Sequence, residues 1–135
     1  FKQFGGKWPK HCIQNTRGAE FHPELNLSES AAVLSAGMDP ESEGYSAFEG
    51  KNQEGKEFQE LLAEQNIQKL YIGGLATEFC VKHTVLEALK RGFKVQLLVD
   101  AIAGIDSEEA KKAKQEMITK GAEKMTLECL SKVKK

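Results

Sequence analysis

The chain has 135 residues, of which 40% are hydrophobic, enough for one domain with a buried core and too few for a second domain of ordinary size. Its 19 basic and 20 acidic residues are spread along the chain and give a formal net charge of -1, which argues against a nucleic-acid-binding or membrane-surface protein. No apolar run approaches the roughly 20 residues that span a bilayer. The expected partner is therefore a small neutral or polar molecule.

The first thirty residues show neither helical nor strand periodicity, and they contain two prolines and three glycines. A loop of this length within a compact domain is usually functional or disordered. The chain also begins without a methionine and in the middle of this loop. We therefore expect it to be the C-terminal portion of a longer α/β chain that supplies an N-terminal strand-helix-strand portion.

Beyond the loop, the hydrophobic pattern alternates between strand and helix periods. The predicted elements, in chain order, are a strand at Ala31–Ser35, a helix at Glu54–Gln65, a strand at Leu70–Ile72, a helix at Glu78–Arg91, a strand at Lys94–Val99, a helix at Ser107–Thr119 and a strand at Met125–Cys129. Strands that are separated by helices pair in parallel through right-handed crossovers. The pattern therefore predicts an α/β fold with a mainly parallel sheet.

A cysteine stands where one of these strands gives way to a helix. The short apolar strand Leu70–Ile72 is closed by Gly73 and Gly74, and Thr77 is suited to cap the following helix, so Cys80 falls in its first turn. Unpaired N–H groups and the positive end of the helix dipole favour an anion there, so we expect a lowered thiol pKa and a reactive thiolate. The alternative is a small buried hydrophobic side chain, which is the usual environment of a free cysteine.

The other cysteines bear on location. Cys12, Cys80 and Cys129 make an odd number, with no CxxC spacing and no apolar leader before them. This pattern is typical of free thiols in a reducing compartment, and it predicts a cytoplasmic protein. We interpret Cys12 and Cys129 as structural thiols.

Four segments, in this order, resemble the nicotinamidases (pyrazinamidases), a branch of the isochorismatase-like cysteine hydrolases: Trp8-Pro9-Lys10-His11-Cys12, Thr16-Arg17-Gly18-Ala19-Glu20-Phe21-His22-Pro23, Tyr45-Ser46-Ala47-Phe48 and Gly74-Leu75-Ala76-Thr77-Glu78-Phe79-Cys80-Val81. The resemblance covers nearly the whole chain and implies one isochorismatase-like domain over residues 1–135, with a Rossmann-like three-layer α/β/α fold. Members of the family hydrolyse nicotinamide to nicotinate and ammonia. They use a cysteine, an aspartate, a lysine and a bound divalent metal such as zinc, iron or manganese.

Carried onto this chain, the resemblance makes Cys80 the nucleophile, which forms a thioester with the substrate. It also implies a cis peptide between Leu75 and Ala76, and an oxyanion hole formed by the backbone N–H groups of Ala76 and Cys80. Trp8, Tyr45 and Phe79 match the positions that line the nicotinamide pocket, where flat aromatic walls suit a pyridine ring. Each of the three could instead be ordinary core packing.

Among the histidines, only His11 matches a metal ligand of the family, and the alternative is a loop histidine bonded to the backbone. A single imidazole is not a metal site, because a stable divalent centre needs about three or four protein ligands. His22 and His83 match no ligand. His83 follows Cys80 by three positions and could form a Cys/His dyad, but we favour an exposed surface histidine.

The sequence departs from the family pattern in two ways. The DxQxDF-type motif that carries the family's aspartate, and the aspartate-and-histidine stretch that supplies its other metal ligands, are not found in these residues. In addition, Ala36 stands where the family has its catalytic lysine. Besides a nicotinamidase, the sequence therefore leaves open an inactive relative that binds a ligand, forms a homo-oligomer or associates with a separate N-terminal segment. It also leaves open an amidohydrolase with another substrate.

Overall fold

A computed structural model describes residues 1–133. A three-stranded parallel sheet lies at its centre, in the order β1-β2-β3, with strands at Lys69–Leu75, Lys94–Ala103 and Glu123–Met125. The helices α1, α2, α3 and α4 lie at Phe58–Glu64, Lys82–Lys90, Ser107–Thr119 and Leu127–Val133. The predicted α/β class and parallel pairing are therefore confirmed. No helix in the described residues is long and apolar enough to cross a membrane.

The hydrophobic core lies between the sheet and helices α2 and α3. Val85 on α2, Leu97 on β2 and Met117 on α3 are fully buried. Val95 of β2 and Ala88 of α2 complete its centre. Because α2 is packed on this core along its length, the backbone that leads into α2 from β1 has a firm support.

Strand β1 is longer than predicted, because Gly73 and Gly74 lie within it rather than after it. Its register with β2 is regular up to Ile72 opposite Leu97 and resumes with Gly74 opposite Ile102, so β2 bulges in between. Gly74 has a φ of +122°, which an L side chain rarely adopts, and a Cβ at Gly73 would lie 3.0 Å from a carbonyl oxygen of β2. The two glycines therefore accommodate the bulge.

The strand predicted at Ala31–Ser35 is wrong. Only Ser35 is paired, in an isolated antiparallel bridge to Lys51 with N–H···O distances of 2.9 and 3.1 Å. Within 31–35 only Leu34 is even partly buried. A short apolar run forms a strand only where a neighbouring strand takes its hydrogen bonds, and the described residues supply one partner residue here.

The strand predicted at Met125–Cys129 is also wrong, because β3 ends at Met125 and α4 begins at Leu127. Two side chains cap the first turn of this helix. The Asp100 carboxylate accepts from the Leu127 N–H at 3.0 and 3.1 Å, and Thr126 Oγ1 accepts from the Cys129 N–H at 3.2 Å. These caps satisfy the backbone donors in a helix instead of in the sheet.

Local polar side chains determine the residues at which helices α1 and α3 begin. Helix α1 begins at Phe58 instead of Glu54, because Asn52 Oδ1 accepts from two N–H groups of the preceding turn at 3.0 and 2.9 Å. Helix α3 has its predicted bounds, and Asp106 caps it by accepting from the Glu109 N–H at 2.9 Å.

The first thirty residues form a loop, as predicted, with only two three-residue 3₁₀ turns at Lys2–Phe4 and Arg17–Ala19. None of residues 1–45 is buried. This region therefore lies outside the core and reaches the rest of the chain through surface contacts.

Candidate active site

Cys80 lies where the end of β1 turns into α2. One π-helical turn, Thr77–Val81, precedes α2 and contains Cys80, so the cysteine is in the first turn, as predicted. Thr77 is not the cap: Ala76 holds that position, makes no side-chain cap, and Thr77 is buried inside the helix. The peptide between Leu75 and Ala76 is cis, as the family resemblance implies. At the other end, Gly92 adopts the predicted left-handed conformation with a φ of +93°.

The predicted lowering of the Cys80 pKa is wrong. Although the residue as a whole is exposed, the atoms packed around its sulfur desolvate it, and this partial burial raises the thiol pKa. Hydrogen bonding to the backbone N–H groups of Ala76 and Cys80 lowers the pKa but does not offset the burial. Backbone N–H groups at the start of the helix therefore interact with the sulfur, as expected. These two donors do not by themselves produce a thiolate at neutral pH.

The three residues matched to the substrate pocket form one aromatic cluster, of which Phe79 is next to Cys80 in sequence. Phe79 packs edge-on against Trp8 with ring centroids 5.0 Å apart and lies 5.4 Å from the ring of Tyr45. Trp8 Nε1 donates to the Tyr45 hydroxyl at 2.7 Å. The cluster therefore joins the N-terminal loop, the segment before α1 and the first turn of the α2 region.

Each member of this aromatic cluster is positioned by a different part of the chain. Phe79 is carried by the π turn, and the segment that follows Tyr45 is tied to α2, where Thr84 Oγ1 accepts from the Ala47 N–H at 2.9 Å. Trp8 is positioned by its hydrogen bond to Tyr45.

Sequence analysis missed Lys7, whose Nζ lies 4.4 Å from the ring centroid of Phe79 and 4.9 Å from that of Trp8. Its position next to Trp8 in the sequence was the signal that could have identified it.

His83 does not form a dyad with Cys80. It is exposed, as predicted, and stacks on Tyr45 with centroids 5.1 Å apart. Among the described residues, no side-chain base forms a hydrogen bond with the Cys80 thiol, since only burial and backbone groups affect its pKa.

His11 lies against the aromatic cluster, with its ring centroid 6.4 Å from that of Trp8. Its Nδ1 donates to the Pro9 carbonyl at 2.7 Å. Because a carbonyl can only accept, Nδ1 carries the proton, and in the neutral form of the ring the lone pair is on Nε2. Within residues 1–133, no three His, Cys, Asp or Glu side chains come together in a way that could hold a metal. The residues present do not make a complete divalent site.

A groove of about 310 Å³ runs beside β1 and reaches Cys80. It is lined by the β1 residues 70–75, by Cys80 and Val81, and by Ala47, Phe58 and Thr84. The aromatic cluster does not line this groove. Cys80 therefore borders the groove and is next in sequence to the cluster through Phe79.

Glu78 is the residue near Cys80 that sequence analysis missed. Its side chain is buried, and its carboxylate accepts from the Ile105 N–H at 3.0 and 3.1 Å and from the Asp106 N–H at 2.8 Å. Burial by itself would raise the pKa of this carboxyl, but the hydrogen bonds from the backbone N–H groups of Asp106, Glu78 and Ile105 together hold it below its usual range. An acidic residue in a first helical turn is ordinarily attributed to the helix dipole, so the sequence does not reveal this contact.

The family matches agree with this geometry. A model of the Isochorismatase domain matches residues 1–129. The chain is 40% identical over 124 residues to a nicotinamidase of Escherichia coli (strain K12), covering 89% of this chain and 58% of that protein. It is 33% identical over 120 residues to a nicotinamidase/pyrazinamidase of Mycobacterium tuberculosis, covering 89% of this chain and 63% of that protein. The chain thus spans less than two thirds of the length of these two relatives.

Solved structures show the same fold. A pyrazinamidase of Pyrococcus horikoshii in complex with zinc superimposes with a TM-score of 0.83 and 42% identity, covering 94% of this chain and 67% of that one. A protein of L. infantum in complex with nicotinate superimposes with a TM-score of 0.84 and 30% identity, covering 96% of this chain and 65% of that one.

Proposed function

This chain belongs to the Isochorismatase domain family, and from that premise we propose that it carries the nucleophile and substrate pocket of a nicotinamidase-type amidohydrolase. The reaction is the hydrolysis of nicotinamide to nicotinate and ammonia. Relatives at 33–40% identity that are nicotinamidases support the reaction class. Cys80 is the nucleophile of the proposal.

One observation carries the proposal: Cys80 lies in the first turn after β1, and the backbone N–H groups of Ala76 and Cys80 interact with its sulfur. Donors directed at the sulfur are also close to the oxygen of a carbonyl carbon that bonds to it. We propose that these two N–H groups form the oxyanion hole. Loss of one such donor typically costs about 10²–10³-fold in rate.

The reaction then has two halves. The Cys80 thiol gives up its proton and its sulfur attacks the amide carbon; the resulting oxyanion collapses, the C–N bond breaks and ammonia leaves with that proton. Water then attacks the thioester carbonyl, the C–S bond breaks, nicotinate leaves and the thiol is restored. Because burial raises the pKa of the Cys80 thiol, the first half requires a base.

The resemblance assigns that base to an aspartate in a motif that residues 1–135 do not contain, and it assigns a lysine to the position of Ala36. A methyl group supplies neither a charge nor a proton. We therefore expect residues 1–135 on their own to release ammonia slowly, and we place the full activity in a protein that also provides these groups. The second candidate function is that of a ligand-binding relative without catalytic activity, in a protein that does not provide the aspartate and the lysine. The alanine at position 36 and the raised pKa of the Cys80 thiol favour this candidate.

The aromatic cluster is the proposed binding site for the pyridine ring. Trp8, Tyr45 and Phe79 present apolar ring faces and edges within 5.0 to 5.4 Å of one another, and a ring of similar size can pack against them. The nicotinate complex of the L. infantum protein supports a pyridine ligand for this fold. Cys80 follows Phe79 directly, and the proposal requires that a ring held by the cluster present its amide to the sulfur.

A divalent metal is part of the proposal only through His11, whose Nε2 is free to bind one. The zinc in the P. horikoshii pyrazinamidase supports a metal in relatives of this chain, whether zinc, iron or manganese here. His11 is the single ligand we assign, and no step of the reaction is derived through the metal. The three free thiols are consistent with a cytoplasmic location, which we also propose.

The test measures ammonia release from nicotinamide by the protein produced from its intact gene, alongside Cys80→Ala. We expect Cys80→Ala to fall to the uncatalysed rate and the matched control Cys129→Ala to keep the parent rate. We expect Ala36→Lys to raise the rate by about 10²-fold, because the resemblance assigns to this position a lysine whose charge stabilises the developing anion. Ammonia release that survives Cys80→Ala would refute the assignment of the nucleophile, and release from other amides but not nicotinamide would refute the substrate.

A further inference from the structure

Glu78 ties the start of the Cys80 helix to the loop between β2 and α3. The sheet pairing between β1 and β2 ends with Leu75 opposite Ala103. Beyond that pair and Gly104, the N–H groups of Ile105 and Asp106 donate to the Glu78 carboxylate instead of to a strand. The side chain therefore continues the contact between the two chain segments after the strands have separated.

The contact is closely fitted. Glu78 is 8% exposed, and both of its oxygens are used, one of them by two donors. Gly104 provides the space, because a Cβ there would lie 3.0 and 3.2 Å from the two carboxylate oxygens and 2.5 Å from the Ala110 Cβ. A buried carboxylate is costly unless donors compensate it. Three hydrogen-bonding distances of 2.8 to 3.1 Å supply that compensation.

We infer that Glu78 is a positioning residue for Cys80: by binding the Ile105 and Asp106 N–H groups, it holds the backbone from Ala76 to Cys80 so that two N–H groups face the sulfur. Its importance for catalysis rests on the proposed function, but its effect on the thiol does not. Glu78 is two residues before Cys80, and Ala76 two residues before Glu78. If the backbone at Glu78 shifts, the N–H groups of Ala76 and Cys80 on either side of it shift as well.

Two variants disturb this contact from opposite sides. Glu78→Gln keeps the shape but replaces one acceptor oxygen with an NH₂ group that faces the same donors. Gly104→Ala keeps the Glu78 side chain but crowds it, because the new Cβ would meet its oxygens at 3.0 and 3.2 Å and the Ala110 Cβ at 2.5 Å. Gly104 is not in the left-handed region, so its backbone conformation itself suits alanine. Glu108→Gln is the matched control. It removes an exposed carboxylate from the first turn of α3, the helix that Asp106 caps, without touching Glu78.

The experiment follows the rate of Cys80 alkylation by iodoacetamide as a function of pH, resolved from Cys12 and Cys129 by peptide mapping. Loss of N–H donors destabilises the thiolate, so we expect Glu78→Gln and Gly104→Ala to raise the midpoint of the Cys80 profile by about one pH unit. Alkylation then slows about tenfold at pH values well below the parent midpoint. Glu108→Gln should keep the parent profile. The Cys129 profile should be unchanged in all three variants.

A purely structural role would give a different result. If both variants lower the melting temperature while the Cys80 profile in the folded protein stays at the parent midpoint, the inference is overturned. If Glu78→Gln does not fold, Gly104→Ala decides between these outcomes. Because alkylation needs no substrate, the shift can be observed even if nicotinamide is not hydrolysed, which separates this inference from the proposed function.

Discussion

Residues 1–45 and residues 58–125 are held in place in different ways. No residue of the first region is buried, whereas the fully buried side chains all come from the second, in β2, α2 and α3. The first region instead reaches the rest of the chain through a few specific contacts, such as the packing of Trp8 against Phe79 with ring centroids 5.0 Å apart. The 2.7 Å hydrogen bond from Trp8 to Tyr45 holds Trp8 in place within the first region. Residues 58–125, the sheet region, therefore supply most of the stability, and residues 1–45, the loop region, contribute side chains to the candidate site.

The largest expected effect comes from a cavity in the sheet region. Leu97→Ala removes a fully buried side chain, and we expect it to lower the free energy of unfolding by about 2–5 kcal/mol. Leu27→Ala is the matched control in the loop, where the side chain is 47% exposed, and it should change the free energy by less than about 0.5 kcal/mol. Urea unfolding followed by circular dichroism measures both. Equal losses would contradict the division of the molecule into two regions.

The second prediction concerns the boundary between the regions, where Cys80 lies. Its pKa is raised above the ordinary value of 9.0 by burial, so the thiol is protonated at neutral pH and the thiolate fraction grows about tenfold for each pH unit up to the pKa. We expect the alkylation rate of Cys80 to rise by about that factor between pH 7 and pH 8 and again between pH 8 and pH 9. Mass spectrometry of the modified peptide measures the rate. A rate that levels off below pH 7 would show a lowered pKa, as sequence analysis predicts.

The smallest expected effect comes from the anchor of the loop. Trp8→Phe removes the Nε1 donor to Tyr45, and we expect a loss of about 0.5–1.5 kcal/mol in the free energy of unfolding. Tyr45→Phe removes the acceptor, so the double variant should lose less than the sum of the two single losses. Additive losses would mean that the hydrogen bond does not hold the loop. In Tyr45→Phe, which keeps Trp8, the single tryptophan of the chain, a change in tryptophan fluorescence reports the loss of this hydrogen bond.

Sequence analysis predicts the elements that local signals determine and fails where a distant residue decides. The bounds of α3 are as predicted because its periodicity and its Asp106 cap are local signals. The strands predicted at Ala31–Ser35 and Met125–Cys129 are wrong because they depend on partners far away in the sequence: Lys51 for the single pair at Ser35, and Asp100 for the cap of α4. A pattern within five residues contains no information about either partner.

The same holds for the candidate site. The first-turn position of Cys80 and the grouping of Trp8, Tyr45 and Phe79 were predicted, since the motifs are contiguous and the resemblance gave their shared role. The direction of the Cys80 pKa was not, because the helix dipole can be read from sequence whereas the packing around a sulfur cannot. Glu78 was missed for the same reason, as its donors lie 27 and 28 positions away.

The bulge between β1 and β2 makes one segment of β2 sensitive to length. From the pair Ile72–Leu97 to the pair Gly74–Ile102, β1 advances two residues and β2 five. Deleting one residue from 98–101 would draw the following backbone back by one step, about 3.3 Å along a strand, and would carry the Ile105 and Asp106 N–H groups out of reach of Glu78. Insertions and deletions should therefore be tolerated in the exposed N-terminal loop and rejected here.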